Sequence, residues 1–452
     1  MYTNTFIFTV INEEPVLPEI PFSYDDVVFP EHFLSDDMEI EDFGYRSGGV
    51  DTLAFDHLDN DKSTLGRVLF YDTKLSALEN LSCANCHRQS LSFAENKQFS
   101  EGISAPTRRN SMHLNDIAWS NNDRFFWDMS ETDLHEMISL PLTDENEIGA
   151  NMDDIGVKLG LTTYYPDLFE KAYGDAGINE ERIVDALVNF IGSMNTFNSK
   201  FDQEAGVNFA GFTNEELLGQ DLFSANCSTC HTQGQHGDIF IDFPAGEEFT
   251  ALEMAPFLFN NGLPEDPNDH GAGEWDESFN NLFKLPSLRN IELTAPYMHD
   301  GRFETLEEVV DFYAEDVVSN EWSFLIPDGG FQFSDEDKRA LVSFMKTLTD
   351  DSFLTNPRWS DPFGNATSIP ENAFEDLVIK PNPFSEKSIL EFDNSLGKLT
   401  SINIYSSNGR LIKHDTFTSN TYEFSKSEFS SGIFIIEIIQ GDRRQTQKLI
   451  VH

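Results

Sequence analysis

The 452-residue chain contains four cysteines, and they fall into two pairs, Cys83 with Cys86 and Cys227 with Cys230. A histidine follows each pair at once, His87 and His231. This spacing can hold a haem covalently. The two thiolates add to the vinyl groups, and the next residue, a histidine, is brought under the iron as its proximal ligand. Two other chemistries use the same cysteine spacing, a zinc knuckle and a redox disulfide. Neither requires a histidine directly after both pairs, so the doubled motif, using every cysteine in the chain, favours haem.

Helices must position these motifs. Ile183, Val184, Leu187, Phe190, Ile191 and Met194 recur at intervals of three and four, which predicts a helix over 181–197. Leu306, Val309, Val310 and Tyr313 predict a second. Leu341, Phe344, Met345 and Leu348 predict a third, opened by Ser334 as N-cap with Asp337 three residues on. Strand-like alternation is scarce before residue 355. A short repeat, Leu65-Gly66-x-x-Leu69-Phe70 and Leu218-Gly219-x-x-Leu222-Phe223, precedes the two cysteine pairs by 13 and 4 residues respectively. A helix, a Cys-x-x-Cys-His, loops and a later helix therefore occur twice. The fold expected is mainly α, two tandem cytochrome-c-like domains followed by a small all-β sandwich tail.

Charge marks where the tail begins. The chain carries 29 Lys and Arg against 79 Asp and Glu, a net charge of −50. Residues 378–452 hold nine basic and eight acidic residues, so the remainder carries −51. Such acidity excludes a generic nucleic-acid binder and disfavours docking on anionic lipid. It suits a basic partner surface or a saline habitat. No apolar run approaches the ~18 residues of a membrane span. The segment 355–377, rich in Pro, Asn and Ser, reads as a linker. The expected domains are 1–50 as an N-terminal extension, 51–203 and 204–354 as the two haem domains, and 378–452 as the tail. The stretch Phe6–Ile11 is too short, and lacks the basic start, for a complete secretory signal. A truncated or miscalled signal is the expectation for 1–20.

In the tail, Ile402 and Ile404 alternate with Asn403 and Tyr405, Asn408-Gly409 is a hairpin signal, and Ile433–Ile439 is a strongly apolar strand. Pro381-Asn382-Pro383-Phe384, Ile402–Gly409, Ser431-Gly432-Ile433-Phe434 and Lys448–Val451 resemble the C-terminal sorting domain of the type IX secretion system. An ordinary carbohydrate-binding or spacer β-domain is the alternative.

Residues 55–350 resemble the bacterial di-haem cytochrome c peroxidase superfamily. The matching segments include Leu65–Asp72, Ser82–His87, Arg109-Asn110-Ser111, Phe126-Trp127-Asp128, Pro141 with Glu147, Leu285–Asn290, Thr294–Gly301 and Leu341–Thr349. The resemblance implies two covalent haems and one Ca²⁺. It makes the haem on Cys83, Cys86 and His87 the peroxide-reacting one. Glu147 becomes its general acid and base, beside Pro141, and Trp127 an electron relay between the haems. Asn110, with the carbonyls of Thr294 and Pro296, matches the calcium ligands. The family's usual pocket Gln is Met137 here, which removes a hydrogen-bond donor and leaves an oxidisable thioether. The other tryptophans, 119, 275, 322 and 359, read as core, and His299 as structural.

On the second haem, the distal position of the family falls on Tyr313, as in the methylamine-utilisation di-haem enzyme, where peroxidases carry Met. A phenolate favours the higher oxidation states. Met254, Met298 and Met345 are the alternative ligands. No His lies in 88–112, and His113 is the only one between His87 and Trp127, so the first haem is expected open and five-coordinate. The resulting reading is a peroxidase, periplasmic, extracellular or at the cell surface. It would reduce hydrogen peroxide with electrons from a small cytochrome c, a cupredoxin or a similar donor. Oxidation of a protein or aromatic substrate through a high-valent haem pair is the rival enzyme reading. A di-haem electron-transfer protein is the rival without catalysis.

Overall fold

The computed structural model describes residues 14–28, 30, 58–117, 124–231, 258–320, 323, 326–363, 377–382, 384–392, 394, 398–406, 411–429, 432–440 and 443–451. The N-terminal stretch 1–13, Trp119, Trp322, Met254, Pro383 and the Asn408-Gly409 turn lie outside these residues. The chain divides into two compact units, one over 13–363 and one containing 364–452.

The first unit is helical. Its helices are α1 (Asn60–Tyr71), α2 (Cys83–Cys86), α3 (Leu134–Thr143), α4 (Met152–Gly160), α5 (Tyr165–Tyr173), α6 (Glu180–Gly192), α7 (Lys200–Ala205), α8 (Asn214–Asn226), α9 (Ser228–His231), α10 (Leu306–Asp311), α11 (Asp335–Lys346) and α12 (Asp351–Leu354). Two two-residue strands, β1 (Leu258–Phe259) and β2 (Phe283–Lys284), pair antiparallel. Among the described residues, no helix is long and apolar enough to cross a membrane.

Two helix pairs organise this unit. Helix α1 starts where Asp59 accepts the N–H groups of Asp61 and Lys62, and it packs on α6, whose first turn is capped by Asn179. Helix α8 begins with a capping box between Thr213 and Glu216. It packs on α11, which begins with the expected box between Ser334 and Asp337. These boxes satisfy backbone N–H groups that have no partner within the helix.

The repeated glycines lie where the helices touch. A Cβ on Gly66 would fall 1.9 Å from the carbonyl oxygen of Ala186, and one on Gly219 would fall 2.0 Å from that of Ala340. Only hydrogen fits at either place, which lets the helix backbones approach and presses the flanking apolar residues into the core. Leu65, Leu69, Phe70, Leu187 and Phe190 are fully buried around the first crossing. Phe223, Leu341 and Phe344 fill the second. Each such side chain stabilises the fold by about 1.5–3 kcal/mol relative to exposure.

Two expectations need correcting. Residues 356–363 are part of the first unit rather than linker. Trp359 is 3% exposed, its ring lies 4.7 Å from that of Phe353, and its carbonyl accepts the Tyr71 hydroxyl at 2.7 Å. Trp275, read as core, is 39% exposed. Its indole N–H reaches the carbonyl of Asp128 at 2.9 Å and Arg124 lies over its ring, so a cation and a carbonyl hold it at the surface.

The second unit is β. Strands β3 (Val378–Lys380), β4 (Lys387–Glu391) and β7 (Thr421–Ser425) form one antiparallel sheet, and β6 (Leu411–Phe417), β5 (Thr400–Ser406), β8 (Gly432–Gln440) and β9 (Arg443–Val451) form another. Alternate residues point inward. Ile402, Ile404, Phe434, Ile436 and Ile438 share one core with Leu390 and Phe424, which makes the two sheets a small sandwich.

Candidate functional site

The two cysteine motifs reach their places by different local routes. After α1 ends at Tyr71, a loop leads to α2, a single turn whose start is held by Ser82 N–H donating to Asn85 Oδ1 at 2.8 Å. The His87 N–H closes this turn on the Cys83 carbonyl at 2.9 Å. In the second half α8 runs on to Asn226 and Cys227 is its C-cap, so the motif follows the helix without a loop. That accounts for the unequal 13- and 4-residue gaps.

His87 is oriented for a metal. Its Nδ1 lies 2.9 Å from the Phe93 carbonyl oxygen. A carbonyl only accepts, so Nδ1 carries the proton and Nε2 keeps its lone pair. Burial pushes the His87 pKa down, which keeps the ring neutral as a ligand must be. His231 is likewise buried and pushed down to about 4. Burial raises the Cys83 and Cys227 thiols to about 12 and those of Cys86 and Cys230 to about 11. Surroundings that penalise thiolates suit an uncharged thioether and not a zinc thiolate. Among the described residues no cluster of three or more His, Cys, Asp or Glu could hold a metal ion. The donor set fits covalent haem.

A cavity of about 430 Å³ opens beside Cys83, Cys86 and His87. Met137, Pro141 and Glu147 line it together with apolar side chains such as Phe70 and Leu187. Met137 and Pro141 are four residues apart on α3 and share a face. Proline has no N–H to return to the carbonyl four residues back, and the loop beyond closes instead through Gly149 N–H to the Asp144 carbonyl at 2.8 Å. That loop delivers Glu147 to the cavity. Burial, followed by the Asp144 charge, pushes the Glu147 carboxyl above the usual carboxylate range. Its charge also bears on both Cys83 and Cys86. Among the described residues no ion pair engages it.

A second cavity, about 130 Å³, borders His231, Tyr313, Met298 and Met345. Tyr313 sits in a π-helical turn over Phe312–Asp316 that continues α10. Such single π turns occur often at functional sites. Burial raises the Tyr313 pKa, with Asn261 opposing and the cysteines Cys230 and Cys227 adding to it. The Asn261 amide N–H₂ donates to the Tyr313 hydroxyl at 3.5 Å and to Met298 Sδ at 3.4 Å. The phenol therefore stands on the same cavity as the second motif.

Trp127 borders both cavities. Its indole N–H donates to the Asn110 carbonyl at 2.8 Å, and its own carbonyl accepts Lys284 N–H at 2.7 Å. It meets His299 edge-on at 6.5 Å, and His299 stacks on Phe283 at 3.6 Å. Asn110, Thr294 and Pro296 all border the second cavity. The Asn110 side-chain N–H₂ donates to the carbonyl of Lys97 at 3.0 Å. Residues given no role from the sequence also stand here. Arg109 is clamped by Asp128 at 2.6 Å and by Asp269 at 2.7 Å. Asn261, His113 and Lys284 also line cavity walls. Lys284, directly before the Leu285–Asn290 segment in so acidic a body, was the one available signal.

Residues 60–207 match a family model described as di-haem cytochrome c peroxidase. Residues 378–452 match one described as a secretion system C-terminal sorting domain. The chain is 30% identical over 303 residues to the cytochrome c551 peroxidase of Nitrosomonas europaea, covering 64% of this chain and 80% of that protein. It is 27% identical over 302 residues to the methylamine utilization protein MauG of Methylophilus methylotrophus, covering 64% and 82%. Among solved structures, a MauG-like protein associated with microbial copper homeostasis is 29% identical, with a TM-score of 0.61 over 73% of this chain and 99% of that one. The diheme peroxidase BthA from Burkholderia thailandensis, 21% identical, shares the fold with a TM-score of 0.54 over 71% and 95% of the two chains.

Proposed function

We propose, for a chain that belongs to the di-haem cytochrome c peroxidase family and carries a secretion sorting tail, that it reduces hydrogen peroxide to water outside the cytoplasm. Two cytochrome-c-like domains would each hold one haem, through Cys83, Cys86 and His87 and through Cys227, Cys230 and His231. Bound haem would supply the iron at which the O–O bond breaks and the electrons that reduce it. The protein's own residues supply the proton chemistry. Peroxide takes two electrons and two protons to give two waters. A base must lift the proton from the inner oxygen and an acid must return one to the outer oxygen as it leaves.

Glu147 carries this reading. It is a partly buried carboxylate with a raised pKa and no counter-ion among the described residues, on the cavity that His87 borders. Pro141 narrows that cavity, and Met137 has no hydrogen to donate to peroxide, so orientation would fall to Glu147. Trp127, bordering both cavities, is suited to relay electrons from the second haem. Asn110 Oδ1 with the Thr294 and Pro296 carbonyls would offer hard oxygens to Ca²⁺. Glu147→Gln keeps the shape and removes the base. Peroxide turnover should fall by about 10²–10⁴-fold. Unchanged turnover in a variant with both haems bound would refute the role.

One observation favours a second reading. Tyr313, whose hydroxyl accepts from Asn261 on the cavity that His231 borders, would give the second haem a hard anionic ligand. That would suit oxidation of a protein or aromatic substrate over electron storage.

A further inference from the structure

Among the described residues, a cation without a carboxylate partner, Lys284, and an imidazole without a hydrogen-bond partner, His113, border both cavities. Lys284, the last residue of β2, borders both cavities and is pinned beside Trp127 by its backbone N–H. Its Nζ donates to the Arg124 carbonyl at 3.1 Å. An ammonium has three donors, and among the described residues no carboxylate approaches this one within ion-pair distance. The contrast with Arg109 is direct, since that guanidinium on the first cavity meets both Asp128 and Asp269. Among the described residues of a chain so rich in carboxylates, none lies within ion-pair distance of Lys284.

His113 also borders both cavities. Both of its ring nitrogens are closed off from solvent and neither meets a hydrogen-bond partner in good geometry. Burial pushes its pKa down to about 4, the Lys284 charge adds to that, and the polar groups of Ser287 and Asn115 oppose it. A buried polar atom without a partner in a folded protein marks a missing water, ion or ligand group. An unpartnered imidazole beside an ammonium without a counter-ion among the described residues calls for an acceptor that carries negative charge.

We propose that His113 and Lys284 together receive the propionate carboxylates of haem between the two cavities. The inference rests on the di-haem reading above. Thioethers hold the vinyl side of each macrocycle, so its two carboxylates leave from another edge and must be solvated or paired. In a body of such negative charge, Lys284 and His113 are the cation and the donor that can pair them. A positive charge there also favours the reduced state of the adjacent haem, because reduction adds negative charge beside it.

The test uses the holoprotein with Lys284→Met, Lys284→Arg and His113→Gln. Haem content is measured as the pyridine haemochrome, and the propionate bending bands by resonance Raman. Midpoint potentials are followed separately for the two haems through their distinct spectra. Lys284→Met should shift the propionate band of one haem and lower that haem's potential, a several-fold fall in its equilibrium constant for reduction. Lys284→Arg should restore both, and His113→Gln should move the band with a smaller change in potential. Whichever haem responds identifies the owner of the carboxylate. If two haems are bound and neither bands nor potentials move in any variant, the pair holds water and the proposal fails. Should Lys284→Met not fold, the bands of Lys284→Arg and His113→Gln decide by the same criterion. A parent protein without two haems would sink the di-haem reading instead.

Discussion

Glu147 illustrates how much one carboxylate's surroundings decide. Its raised pKa means that folding disfavours the charged form, chiefly through burial. As a base it must be ionised, so kcat/KM for peroxide should fall as pH drops through this raised value, and Glu147→Gln should lose that limb along with the activity. The stability effect has the opposite sign. A folded pKa above the unfolded one means tighter proton binding in the native state, so this site gains stability as pH falls and costs some at neutral pH. Tyr313 poses a sharper choice. If it ligates iron, Tyr313→Met should replace a hard anionic donor by a neutral thioether and raise the potential of the second haem. Spectroelectrochemistry giving an unaltered potential would assign Tyr313 to the core.

Helix contacts explain the internal repeat better than any ligand does. Gly66 and Gly219 occupy equivalent places, each against the carbonyl of an alanine and the Cβ of a phenylalanine four residues further on, Ala186 with Phe190 and Ala340 with Phe344. Gly66→Ala and Gly219→Ala must each push a helix away from its partner. Overpacking of this kind typically costs ~1–3 kcal/mol, and contact with backbone leaves no flexible side chain to yield. Thermal or denaturant unfolding should register each loss, with the two roughly additive because the crossings are separate. A variant as stable as the parent would mean that the helices are not so tightly apposed.

Across the helical unit, a buried polar network joins residues far apart in sequence. Arg289 holds Asp202 with both terminal nitrogens, at 2.8 Å each, and the Thr196 carbonyl at 2.9 Å. Both members of the pair are 2% exposed at the side chain. Asp116 accepts the Thr196 N–H at 2.8 Å, so the α6–α7 connection is tied to segments on either side. Burial pushes Asp202 up, but Arg289 and the hydrogen bonds from Ser199 together outweigh it and the net shift is downward. This site therefore contributes stability above the unfolded carboxylate pKa and loses it as pH falls through the lower folded value. Arg289→Met leaves the buried carboxylate without its counter-ion and should cost about 3–5 kcal/mol, measurable as a lowered denaturation midpoint at neutral pH. It should also shrink the acid-induced loss seen in the parent. A midpoint equal to the parent's would show that solvent reaches Asp202.

Read alone, the chain declares its two candidate haem motifs and the step in charge between body and tail. Cys-x-x-Cys-His is local, since two thiols and a ring within five residues need no distant partner to declare themselves. Apolar periodicity, caps and the charge step likewise announced helices, the β tail and its sheets, because these patterns repeat over short spans. Tertiary structure decided what depends on distant residues. It brought Glu147 to the cavity of His87, Tyr313 and Asn261 to that of His231, and Trp127, His113 and Lys284 to the wall between. It also took Asn356–Phe363 from the supposed linker into the core and put Trp275 at the surface. Lys284 was one basic residue among 29. Only the folded chain shows that no carboxylate among the described residues comes to meet it, because charge pairing is set by proximity in space and not along the chain.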